Sequence, residues 1–147
     1  MRKILSAALA MFAVASASTA IAADKQWHVT GVINDGLATV FTCTNRSTMA
    51  QSVTVTVYNK AGGVDASGTI GSIAPQATVN FGSNAVVSFG GGIDFNLGVS
   101  TPLHSGSAVV SAPAKVYCTA FVIDPTNPVP TTTFTLPMFK SATQKGQ

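Results

Sequence analysis

Apolar and polar positions alternate with period two along most of the chain beyond residue 25, which predicts β-strands. The alternation is cleanest in QSVTVTVYN, residues 51–59. Val53, Val55 and Val57 share one face there, and Ser52, Thr54, Thr56 and Tyr58 share the other. A strand with one core face and one wet face belongs in an outer layer. LATVFTCTN, residues 37–45, puts Leu37, Thr39, Phe41 and Cys43 on one face. KVYCTAFVID, residues 115–124, is apolar on nearly every side. Val116, Cys118, Ala120 and Val122 oppose Tyr117, Thr119, Phe121 and Ile123, so it reads as a central strand covered on both faces.

Turn signals separate these runs. Asn34-Asp35-Gly36 follows a strand at residues 26–32, and residues 59–63 turn the chain after the valine ladder. Weaker strands are expected at 68–73 and 77–81, then at 85–89 before Gly90-Gly91-Gly92. IDFNLGV, residues 93–99, aligns Ile93, Phe95, Leu97 and Val99 against Asp94 and Asn96. After an irregular stretch at 100–106, a strand at 107–111 leads into the central one. The proline-rich loop 124–130 leads out to a last strand at 131–139, with Pro137 expected at a sheet edge. About ten short strands with closely spaced turns indicate a single all-β, antiparallel sandwich, with a closed barrel as the alternative.

The first 22 residues change the picture of compartment. Arg2 and Lys3 precede an apolar run that ends in Ala20-Ile21-Ala22, the pattern of a cleaved secretory leader. Ser and Thr interrupt the run and it falls short of the roughly 20 apolar residues a membrane span needs. The expectation is a leader at 1–22, one domain at 23–139 and a frayed tail at 140–147, exported to the periplasm or the exterior with no membrane span. Part of the formal +3 charge leaves with the leader. No Lys/Arg run remains, so nucleic acid is not an expected partner.

An exported chain with two cysteines, Cys43 and Cys118, predicts one structural disulfide. With Cys43 and Cys118 on separate strands and the turn-strand phrase IAPQATVNF at 73–81, most of the mature chain resembles exported bacterial proteins with immunoglobulin-like β-sandwiches. The resemblance implies a scaffold that presents loops or a sheet edge. The chain departs from immunoglobulin domains proper at two points. Tyr117 immediately precedes the second cysteine, and Trp27 lies before the first.

Candidate chemistry is sparse. His28 and His104 lack a nucleophile elbow to serve, and the five Asp stand mostly at turns. Copper of the cupredoxin kind needs a thiolate, two imidazoles and usually a Met. Here no His follows Cys118, and using it would strand Cys43. No close His/Cys spacing suits zinc. Asn45-Arg46-Ser47 matches a glycosylation pattern that is short and often fortuitous. The three glycines at 90–92 read as a turn, not a phosphate cradle. The expectation is therefore no enzyme, no cofactor and no metal.

Counting strands collects Asp35, Asp65, His104 and Asp124 at one pole, with Arg46 and little else at the other. Such a polar pole has the groups to bind a hard cation or contact a partner, although turns attract Asp for local hydrogen bonding anyway. The expected function is a non-catalytic structural or interaction protein of the bacterial envelope or exterior. Its partner is a protein or glycan, or another copy of the chain. The alternative is a small-ligand or carbohydrate-binding module, with Tyr58 and Trp27 as its candidate aromatics.

Overall fold

The computed structural model describes residues 24–84, 92–126 and 132–141. The leader, the segment expected as a strand at 85–89 and residues 142–147 of the tail lie outside the described residues. Among the described residues ten strands follow one another: β1 (Lys25–Asp35), β2 (Leu37–Asn45), β3 (Gln51–Tyr58), β4 (Val64–Ile73), β5 (Thr78–Gly82), β6 (Phe95–Asn96), β7 (Leu103–Ala112), β8 (Val116–Ile123), β9 (Thr132–Leu136) and β10 (Met138–Lys140). Among the described residues no helix is long and apolar enough to cross a membrane.

The strands form one hydrogen-bonded sheet along the path β4-β3-β7-β1-β2-β5-β6, with β8 added to β2, β9 to β8 and β10 to β1. All pairs are antiparallel except β5 with β6. The architecture is a single mixed sheet rolled into a nearly closed barrel. The expected two-layer sandwich gives way to continuity because β1 and β2 stay paired across their hairpin, at Asn34↔Ala38 and Asp35↔Leu37. Gly36 makes that hairpin possible, with φ at 65°, a conformation side chains resist. On one flank the last strand changes partner at Pro137, which has no N–H to give a ladder. β9 pairs with β8 before it and β10 pairs with β1 after it. On the other flank the Phe95 ring packs so closely over Gly68 that a Cβ there would lie 2.2 Å from it.

The valine ladder of β3 faces inward as the alternation requires, with Val53, Val55 and Val57 fully buried. They join Val29, Val32, Phe41, Phe81, Val110, Ala120 and Val122 in the barrel core. A second, smaller cluster of Ala38, Val40 and Ile123 lies on the outer face of β2 and β8, with Ile93 and Phe121 against it. Strand β8 is therefore covered on both faces only over its second half. At its start Tyr117 and Thr119 are exposed, so the expectation of a strand buried throughout is corrected there.

Four segment boundaries also change. Strand β4 begins at Val64, and β7 begins at Leu103 within the stretch read as irregular. Only Phe95–Asn96 of residues 93–99 is strand, although Leu97 and Val99 are buried and Asp94 and Asn96 exposed as the alternation indicates. Lys140, assigned to the frayed tail, pairs with Trp27.

Cys43 and Cys118 are bonded and stand directly opposite each other on β2 and β8, with Cα atoms 4.1 Å apart. The bridge thus staples neighbouring strands of one sheet, whereas an immunoglobulin bridge crosses between sheets. It closes a loop of 75 positions. In the chain-entropy model such a loop contributes about 4 kcal/mol.

Candidate functional site

The register brings several charged groups to the two ends of the barrel, with Lys60 at the end that holds Asp65 and Asp24 at the end that holds Lys25. Asp35 ends β1, and Asp124 follows Ile123, which faces Ala38. Asp65 follows Val64, whose partner Tyr58 pairs with Ser107 next to Gly106, and Gly106 faces Val32. Asp35, Asp65, Asp124 and His104 therefore share one end, as strand counting indicates. Each is engaged locally. His104 Nδ1 lies 3.0 Å from Asp35 Oδ2, and both side chains are largely exposed. Asp65 Oδ2 accepts the Ser100 backbone N–H at 2.8 Å. Asp124 Oδ1 accepts the Thr126 hydroxyl at 2.6 Å and its backbone N–H at 2.9 Å, which together hold its carboxyl below the usual aspartate range. Among the described residues no three metal-competent side chains converge.

The opposite end carries more than Arg46. Lys25 reaches the Ala114 carbonyl at 3.2 Å, and Lys115 sits in the β7–β8 turn that Val116 closes by donating to Pro113. The Arg46 backbone N–H donates to the Lys115 carbonyl at 2.9 Å, tying the two loops together. The fixed point of this end is Asn45, which is fully buried. Its side-chain amide donates to the carbonyls of Met49, Ile73 and Ala74 at 2.8, 2.8 and 3.2 Å. Its oxygen accepts the Ser47 N–H at 2.9 Å and the Ser47 hydroxyl at 2.8 Å. With Asn45 enclosed, the sequon at 45–47 is a structural knot and its amide is inaccessible to a glycan. The same inward Asn45 sends Arg46 outward.

Two depressions flank the tied loops. An open groove of about 630 Å³ is lined by Thr44, Arg46 and Tyr117. A smaller one, about 290 Å³, lies between Ser47, Met49 and Gln51 on one side and Pro113 and Lys115 on the other. Tyr117 is 65% exposed and Met49 70%. Among the described residues the ion pair is that of Asp35 and His104, so Arg46, Lys25 and Lys115 have no carboxylate partner. This end exposes Arg46 and Lys115 with Tyr117 in one depression and Met49 in the other, and Asp24 stands next to Lys25 at the start of β1.

Trp27 is half-buried against the core and Tyr58 half-buried on β3, so neither is the exposed platform that sequence suggests. Tyr117 is. One signal for it was available: if the two cysteines are directly opposite, antiparallel register alone puts Thr44 against Tyr117 and Asn45 against Val116. Compared with protein-family models, curated proteins and solved structures, the chain matches none of them.

Proposed function

We propose that this protein is a non-catalytic interaction protein of the bacterial envelope or exterior, whose barrel scaffold contacts its partner through the pole that carries Arg46 and Lys115. The observation that carries the reading is that Arg46 and Lys115, which among the described residues have no carboxylate partner, border two surface depressions that also expose Tyr117 and Met49. A cationic rim around apolar anchors is the anatomy of a contact surface. The scaffold suits presentation. A stapled, nearly closed barrel fixes the loops at 45–51 and 112–116 without consuming their outward side chains.

Sedimentation of the mature protein, residues 23–147, with washed bacterial envelopes tests this. Retention of the unmodified protein should fall about 10-fold in the double variant Arg46→Gln/Lys115→Gln and stay unchanged in Asp35→Asn/Asp124→Asn. No retention at all, or equal loss in both variants, removes the cationic pole as the contact surface.

A further inference from the structure

We propose that the groove between Arg46 and Tyr117 binds a carboxylate-bearing sugar ring, that is, a uronic acid unit of an acidic polysaccharide. The inference deepens the reading of the cationic pole as the contact surface and rests on it. Three chemistries meet in one groove. The Arg46 guanidinium is a planar fork of donors that matches a carboxylate with two parallel hydrogen bonds. The Tyr117 ring, 65% exposed, presents a flat apolar face with a polar tip, suited to the C–H face of a pyranose. Thr44 stands opposite Tyr117 in the ladder and supplies a hydroxyl.

The wall beyond continues the hydroxyl pattern. Thr44 and Thr78 hydroxyls lie 2.8 Å apart, and Thr42 donates to Asn80 Oδ1 at 2.7 Å. These side chains can exchange hydrogen bonds with sugar hydroxyls along β2 and β5. The depression bordered by Thr44, Arg46 and Tyr117 is shallow and open, so a sugar chain can lie across it. A bare phosphate would use Arg46 and leave Tyr117 idle. An acidic peptide would also engage the apolar Met49 in the neighbouring depression, which has its own lining.

Isothermal titration of the mature protein with a galacturonic acid trimer, a galactose trimer and inorganic phosphate at matched ionic strength tests the proposal. The acidic trimer should bind, and the neutral trimer about 10-fold or more weaker. Arg46→Gln and Tyr117→Ala should each weaken the acidic trimer about 10-fold, Tyr117→Phe no more than about 2-fold, and Met49→Ser not at all. Both key side chains are exposed, so unchanged melting of the variants separates lost binding from lost folding. Absence of binding by the acidic trimer at millimolar concentration overturns the proposal. So does indifference to Tyr117→Ala, or displacement of the trimer by equimolar phosphate. If envelope retention persists through any of these outcomes, the contact surface stands and only its uronate ligand falls.

Discussion

Both ends of the barrel are organised by a buried asparagine, and they leave opposite things for the solvent. Asn34, 2% exposed, donates to the Val99 carbonyl at 2.7 Å and the Thr101 hydroxyl at 3.0 Å, and accepts from the Asn84 amide at 2.9 Å. Those partners lie 50 to 67 positions away, so this end closes by gathering distant loops. Its acids find partners among the same loops, as Asp65 does at Ser100 and Asp35 at His104. Asn45 instead knots its own neighbours, Ser47 and Met49, and then reaches β4. A knot made locally points its intervening residue outward, and that residue is Arg46. The difference teaches that charge distribution alone does not mark a contact surface. What distinguishes the Asn45 end is an outward charge, Arg46, set beside an exposed ring, Tyr117.

The largest test of this contrast is the disulfide, which sits one ladder position from Thr44↔Tyr117. Cys43→Ser/Cys118→Ser should lower unfolding free energy by about 2–5 kcal/mol in denaturant titration. Amide exchange should also quicken first at Thr44, Arg46 and Tyr117, before the hairpin at Asp35. Equal acceleration at both ends would show that the staple serves the barrel as a whole and not the cationic pole in particular.

Next in size are the two asparagines. Asn45→Ala removes a hydrogen bond from three carbonyls, of which Met49 and Ala74 keep another donor, and leaves the buried Ser47 N–H without its acceptor; Asn34→Ala removes a hydrogen bond from a carbonyl, a hydroxyl and an amide. Each should cost about 2–3 kcal/mol in the same titration. The pair separates in binding: at a temperature where both variants remain folded, Asn45→Ala should lose envelope retention and Asn34→Ala should keep it. Loss in both would mean that the poles communicate through the barrel.

How far these features were readable in the sequence depends on the range of the interaction that fixes them. Period two carries the burial of Val53, Val55 and Val57, and the hairpin at Gly36 follows from the local chemistry of its turn. The cysteine pair was legible as a bond, but whether it spans sheets or neighbouring strands depends on register between elements 75 positions apart. Residues 93–99 kept their alternation and lost most of their strand, because side-chain burial needs only a periodic extended chain whereas a ladder needs a partner. The acidic pole was readable by counting turns. The cationic pole was not, since Lys25 and Lys115 stand on elements whose ends meet only when β1 pairs with β7, bringing Lys25 against Ala112. Tyr117 reads as covered in the sequence, but the outer-face cluster of Ala38, Val40 and Ile123 with Ile93 and Phe121 lies over the other half of its strand.

The smallest expected effect concerns Asp124, where the acidic end is most self-contained. The Thr126 hydroxyl and then its N–H stabilise the ionised carboxylate and lower its pKa in the folded protein. A depressed folded pKa contributes stability that is complete above the unfolded aspartate value, about 3.9, and is lost as pH falls through the folded value. The group is at the surface, so screening leaves little for stability and the effect should be read in the titration itself. In a carboxyl NMR titration Asp124 should ionise below the ordinary aspartate value. Thr126→Val, which removes the hydroxyl and keeps the N–H, should raise that pKa part of the way back without moving the melting temperature at pH 7. If the variant leaves the pKa in place, the backbone N–H holds Asp124 by itself. If the pKa rises well above the ordinary value, Asp124 faces another negative charge at this pole, and the acids there are not each satisfied by their own loop.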